Sequence, residues 1–257
     1  MRNLLKNTAA LLLLLALVPA ARAQTQGAGA KAQGEVDEVE QLLLRHVLAQ
    51  GGLELLKLRT RVVRGRVEMS TSPVPGSFES YEKAPGMELS IINAPAGQFI
   101  SATDGVRRWQ QAPWGAATTT TAALSGGENL LKEAAKAGGE FKLRNAFTAA
   151  RLKGRTKLDG RDVLVLAATP RGGKPFLLYF DAETYLLRKQ EPDRAAGGWG
   201  KEPVQALYID GYKTVGGVKV PSLFRIVTTQ FTLTFQVTEV KHNVNIDDRL
   251  FKSPEGN

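Results

Sequence analysis

The side chains able to do chemistry are few and poorly matched. The chain has two histidines, His46 and His242, far apart in sequence and without a neighbouring carboxylate or second imidazole at metal-ligand spacing. Each reads as structural. Cysteine is absent, which removes disulfides, thiolate metal sites, cysteine nucleophiles and any lipid-modified cysteine. Ser80-Tyr-Glu-Lys83 spells the Ser-x-x-Lys of penicillin-recognising enzymes, but that pair needs a helix to bring both side chains onto one face. Here Phe78-Glu-Ser-Tyr-Glu-Lys83 alternates as a strand does, which sends Ser80 and Lys83 to opposite faces. The carboxylates Asp247-Asp248 and Glu191 with Asp193 fall in turn-rich segments and read as solvated. No His-Glu-x-x-His, Gly-x-Ser-x-Gly, phosphate-binding loop or dinucleotide fingerprint occurs. The expectation is a binding protein with no catalytic residue, no metal and no cofactor.

The first 23 residues say where such a protein works. Arg2 and Lys6 precede an apolar run over residues 11–18, and Ala21-Arg22-Ala23 supplies the small-x-small pattern cut by signal peptidase. This is the pattern of a secretory signal peptide, and the run falls short of the roughly 18 apolar residues that span a bilayer. The expected location is the periplasm, as a soluble protein without a lipid anchor. Loss of Arg2, Lys6 and Arg22 takes the formal charge from +9 to +6. An exported protein meets little nucleic acid, so this charge serves solubility or a peripheral attraction to anionic lipid head groups.

The elements that must position a binding site follow from periodicity. Residues 24–34 lack apolar weight and read as a flexible leader. Val36, Val39, Leu43 and Val47 recur at helical spacing, acidic residues crowd the start, and Gly51-Gly52 supplies a stop, which predicts an amphipathic helix over residues 36–50. From Arg61 onward, short β-rich runs are punctuated by Asp104-Gly105, Asp159-Gly160, Gly172-Gly173 and Gly216-Gly217, the signature of successive antiparallel hairpins. Along Phe231-Thr-Leu-Thr-Phe-Gln-Val-Thr238 one face is apolar and the other polar. Val163-Leu-Val-Leu-Ala167 and Phe176-Leu-Leu-Tyr-Phe180 are apolar on both faces and need a cover. Candidates are the first helix and a second helical stretch over residues 128–137, extending toward residue 149. Runs bounded by turns number about ten to twelve. Together these predict a mainly β, α+β fold, with one curved antiparallel sheet forming an incomplete barrel and a single domain over residues 35–257.

Five segments in order carry a family resemblance: Phe78-Glu-Ser-Tyr-Glu-Lys-Ala-Pro85, Asp159-Gly-Arg-Asp-Val-Leu-Val-Leu-Ala-Ala-Thr-Pro170, Leu178-Tyr-Phe-Asp-Ala-Glu-Thr-Tyr-Leu-Leu-Arg188, Tyr212-Lys-Thr-Val-Gly-Gly-Val-Lys-Val-Pro221 and Phe235-Gln-Val-Thr-Glu-Val-Lys-His-Asn-Val-Asn-Ile-Asp-Asp248. They resemble the LolA-like superfamily of exported bacterial proteins related to outer-membrane lipoprotein-sorting carriers, and its uncharacterised members more than the shuttle itself. The resemblance implies an open antiparallel barrel of about eleven strands, helices covering the open side, and an apolar interior that accepts acyl chains. It also implies a strand arginine that holds the helical lid closed. Arg64 and Arg66 are candidates for that role, and an exposed charged face formed with Glu68, leaving Val63, Val67 and Met69 inward, is the competing assignment.

Candidates for the cavity lining are Met69, Phe78, Leu89, Ile91, Trp109, Phe176, Leu178, Phe231, Leu233 and Phe235, each of which could equally be core. Trp109 and Trp114 flank a loop read as lying near the mouth, with Trp114 a candidate gate. Pro73 and Pro75 read as a second rim loop. The first functional reading is a periplasmic, monomeric carrier or chaperone for lipid or a lipidated protein. The alternative is a non-catalytic envelope module that binds a protein partner. A cofactor-free enzyme ranks third.

Overall fold

The computed structural model describes residues 27–95, 97–111, 143–171, 173–200 and 204–252. Residues 1–34 and 35–257 are two compact units, and the second holds the sheet. Twelve strands form it: β1 (Thr60–Met69), β2 (Ser72–Lys83), β3 (Met87–Ala94), β4 (Gly97–Asp104), β5 (Arg108–Gln111), β6 (Phe147–Leu158), β7 (Arg161–Pro170), β8 (Phe176–Asp181), β9 (Leu187–Pro192), β10 (Val204–Val215), β11 (Val218–Thr228) and β12 (Thr232–His242). Their order is β5-β4-β3-β2-β1-β12-β11-β10-β9-β8-β7-β6. Every pairing is antiparallel. β5 and β6 do not pair, so the sheet is an incomplete barrel. The hairpin signals hold at Asp159-Gly160 and Gly216-Gly217, where both residues of each turn have positive φ, the geometry that matches strand twist.

The helix α1 (Gly27–Gln50) starts nine residues before the predicted position. Ala28, Ala30, Ala32 and Gln33 are strong helix formers, so the polar segment read as a leader is helical from Gly27, and the acidic residues lie within the helix. Its inward stripe of Val39, Leu42, Leu43, His46 and Val47 is buried and packs on Leu166, Leu178, Phe180, Leu187, Ile209 and Val218. The two-faced strands β7 and β8 thus find their cover in α1. Beyond Gly51 the chain makes a short 3₁₀ turn, Gly52–Lys57. Gly51 has φ 137° and a Cβ there would lie 2.9 Å from the Gly217 carbonyl oxygen, so the helix end closes tightly on the β10–β11 turn.

Two further readings change. Residues 128–142 lie outside the described residues, but Leu143–Ala146 is a 3₁₀ turn and Phe147 opens β6, so helix does not reach residue 149. Pro73 and Pro75 belong to β2 rather than to a loop. The register jumps there from Val67↔Gly76 to Met69↔Ser72, so neither proline has to donate to the ladder. Among the described residues no helix is long and apolar enough to cross a membrane.

Candidate functional site

The helix-bearing face of the sheet stays apolar past the end of α1. Phe78 of β2, Phe224 of β11 and Phe235 of β12 meet there: Phe224 stacks on Phe235 at 4.7 Å, and Phe78 meets both edge-on at 6.1 and 5.2 Å. Val63, Val67 and Val237 complete this cluster, with Ile226 and Leu233 half-buried against it. Phe224 also packs against the core beneath α1, so the two clusters share one face. Aromatic rings at these separations attract beyond their area burial.

A cavity of about 230 Å³ opens between this surface and the end of the helix. Val63, Phe78, Val220, Phe224 and Val237 form its apolar wall, while Gln50 of α1 and Leu55 of the 3₁₀ turn bound it from the helix side. Its polar end holds Ser80 and an ion pair in which one nitrogen, Arg61 Nη2, lies 2.6 Å from both carboxylate oxygens of Glu82. These side chains are only 18 and 21% exposed, so the pair is partly withdrawn from water, where charge-assisted bonds strengthen. An apolar wall ending in a cation and a carboxylate suits an amphiphile.

Backbone irregularity decides which strand residues reach this face. In β12 the extra residue Thr238 makes a bulge opposite the step from Arg64 to Gly65 of β1. Gly65 passes so near its neighbours that a Cβ would lie 2.1 Å from the Gln236 carbonyl oxygen and 2.5 Å from the Phe78 ring. No side chain fits there, which is what lets Phe78 lie across the strand.

Arg64 points the other way. Its Nε donates to Glu79 Oε2 at 2.9 Å, its Nη1 to Glu239 Oε2 at 2.8 Å and its Nη2 to the Tyr81 hydroxyl oxygen at 3.1 Å. The Tyr81 hydroxyl donates to Glu79. Hydrogen bonds from Tyr81 and Arg64 hold the Glu79 carboxyl below its ordinary range, and burial, with that carboxylate, raises the Tyr81 phenol. Arg64 is committed on the face away from the helix, and Arg66 is exposed on that same face. Of the three arginines of β1, it is Arg61 that lines the cavity with Gln50 and Leu55.

The predicted lining residues divide into four places. Phe78 and Phe235 belong to the cavity face, and alternation along β1 and β12 carries Met69 and Leu233 in the same row. Phe176 and Leu178 are buried directly beneath α1. Phe231 lies in the β11–β12 turn, where its amide donates to the Thr228 hydroxyl at 3.0 Å. Leu89, Ile91 and Trp109 are on the opposite face, packed with Val62 and Ala102 beneath Val244, Ile246 and Phe251. The Trp109 indole donates to the Phe251 carbonyl at 3.0 Å. They are not brought together with Phe78. Trp114 lies outside the described residues. Sequence reading missed Phe224, Val220, Val237, Ser80 and the Arg61–Glu82 pair; the register Gly65↔Phe78 and Phe224↔Phe235 is what joins them.

The other chemistry-bearing groups have structural partners. His46 is 2% exposed, its Nδ1 lies 2.8 Å from the Tyr185 carbonyl oxygen, and burial lowers its pKa to about 4. Its imidazole is therefore neutral at pH 7, with Nδ1 donating. Ser80 and Lys83 do point apart: Ser80 lines the cavity, and Lys83 pairs with Asp248 at 2.5 Å. The turn carboxylates read as solvated are engaged. Asp193 and Asp247 cap 3₁₀ turns, and Glu191 pairs with Lys189 at 2.7 Å. Glu40 of α1 accepts from the amides of Leu143 and Arg144 at 2.8 and 2.9 Å, fixing where the chain enters β6.

The fold is LolA-like. A DUF1329 family protein from Desulfovibrio piger superposes with TM-score 0.53 at 14% identity, over 85% of this chain and 97% of that one. A LolA superfamily protein from Nitrosomonas europaea gives 0.53 at 12% identity, covering 84 and 98%. An outer membrane lipoprotein-sorting protein domain from Vibrio parahaemolyticus gives 0.50 at 10%, covering 84 and 97%. The sequence matches no protein-family model and no curated relative.

Proposed function

We propose that this chain is an exported, non-catalytic carrier that shelters the acyl chain of a lipid or lipidated protein in the cell envelope. The observation that carries this is the continuation of the apolar helix-bearing face beyond α1 into a cavity of about 230 Å³ walled by Val63, Phe78, Phe224 and Val237. A single water occupies roughly 10–15 Å³ on this scale, so the cavity has room for a stretch of acyl chain. Each methylene buried contributes roughly 0.8 kcal/mol before ordering costs, and such binding needs shape rather than a reactive group. The ion pair at the polar end lies where a head group would emerge. A LolA-like fold and an amino terminus patterned as a signal peptide are consistent with this role.

The test is native mass spectrometry of the protein secreted from cells and purified without detergent, followed by organic extraction. The expected result is a stoichiometric lipid or acyl species released on denaturation. A clean apo mass, in a protein that also takes up no fluorescent fatty acid, overturns the carrier reading in favour of a module that binds a protein partner.

A further inference from the structure

Outside the cavity, the most unusual surface is made by four leucines within thirteen residues. Leu44, Leu48, Leu53 and Leu56 are 48, 60, 58 and 47% exposed. Leu44 and Leu48 are one turn apart on α1, opposite the buried stripe of Val39, Leu43, His46 and Val47. Leu53 and Leu56 continue from the 3₁₀ turn, where Gly52 keeps the chain close: a Cβ there would lie 3.4 Å from Leu48 Cδ2. Single exposed leucines need no explanation, but a contiguous run of them on one monomer marks a contact surface.

We propose that this leucine ridge docks the protein on an anionic lipid surface, which brings the helix end and the 3₁₀ turn that bound the cavity to the point of contact. Three observations favour lipid over a protein partner. The ridge is wholly aliphatic, without the aromatic residues that anchor protein interfaces. Arg45, Lys57 and Arg59 flank it and are exposed, with Glu54 the only carboxylate between them, bound to Lys57 at 2.7 Å; apolar side chains bordered by cations suit the interface of an anionic bilayer. The ridge also lies on the elements that bound the cavity, since α1 and the 3₁₀ turn expose the leucines on one face and supply Gln50 and Leu55 to the cavity wall on another. This rests on the carrier reading above and names where that carrier loads.

The experiment is co-sedimentation of the purified protein with vesicles of mixed phosphatidylglycerol and phosphatidylethanolamine, against vesicles of phosphatidylcholine. The comparison is with the double variant Leu48→Ser, Leu53→Ser, whose fold is checked by its thermal midpoint and by fatty-acid uptake in solution. Losing two half-exposed leucines from a bilayer contact predicts partitioning about tenfold weaker or more, with a preference for the anionic vesicles and unchanged uptake in solution. Equal sedimentation of both forms overturns the proposal, as does failure of the unsubstituted protein to sediment. A dimer that the serine substitutions dissociate, without vesicle binding, overturns it in favour of a second copy as occupant. Vesicle binding that tracks the leucines in a protein taking up no fatty acid refutes the carrier reading and leaves the docking surface standing.

Discussion

Replacing His46 by asparagine should remove most of the protein's loss of stability between pH 7.5 and 5. The imidazole is buried under α1, its ring edge meets Phe180 at 4.9 Å, and its pKa is lowered from 6.5 to about 4. The folded state therefore holds it neutral while the unfolded chain begins to bind its proton near pH 6.5. Stability from this group is complete above pH 6.5 and drains away as pH falls toward 4, at up to about 1.4 kcal/mol per unit. From pH 7.5 to 5 that amounts to about 2 kcal/mol, a large share of a typical total of about 5–15. Hydrogen-bonded carboxylates with lowered pKa values, including Glu79, Asp181 and Glu239, weaken the fold only as pH falls below their unfolded range near 4, outside this window. Asparagine places an amide where Nδ1 stood and so keeps a donor for the Tyr185 carbonyl, but it does not titrate. The assay is urea unfolding of both forms at pH 7.5, 6.5 and 5. The variant should start lower by about 1–3 kcal/mol, the usual cost of a core substitution, yet lie flat across the series while the unsubstituted protein falls. A flat profile in the unsubstituted protein, or equal slopes in both, would refute the reasoning.

Three other outcomes follow from the site and the strands that build it. Ser80→Trp fills the cavity from its polar end and should weaken fatty-acid uptake about tenfold or more, since the ligand would have to expel a large ring. Arg64→Ala on the opposite face should leave uptake unchanged while costing about 1 kcal/mol in urea unfolding, given the partial exposure of its ion pairs; uptake that fell with Arg64 would return it to the role of lid arginine. Gly65→Ala should destabilise by about 3 kcal/mol or more, because the new methyl meets the backbone oxygen of Gln236 rather than a movable side chain. A thermal midpoint within a few degrees of the unsubstituted protein would sink that account of the bulge.

Much of the fold was legible because the signals are local. Type I′ turns demand residues that tolerate positive φ, so Asp159-Gly160 and Gly216-Gly217 announced their hairpins. The buried stripe of α1 was written in the spacing of Val39, Leu43 and Val47. Its start was not, because propensity carries a helix through Ala28, Ala30 and Ala32 without any apolar stripe to mark it.

The cavity was legible only in part, and β3 shows why. Period-two alternation says that Leu89 and Ile91 share an apolar face, and that reading holds. It does not say which side of the sheet that face looks toward. The helix covers one side, and Val244, Ile246 and Phe251 cover the other, so an apolar row has two places to go. Register fixes the choice: Leu89 pairs with Tyr81 and Ile92 with Phe78, which leaves Ile92 on the cavity side and sends Leu89 and Ile91 beneath the carboxy-terminal segment. In β12 the extra residue Thr238 matters in the same way, keeping Phe235, Val237 and Val240 on the Phe78 side and turning Glu239 to the far side, where it meets Arg64. Composition, alternation and turn chemistry determined the antiparallel sheet and its helix. The assignment of each apolar row to helix, cavity or carboxy-terminal segment was decided by pairing across strands distant in sequence, since a strand's own residues define two faces but not what lies against either.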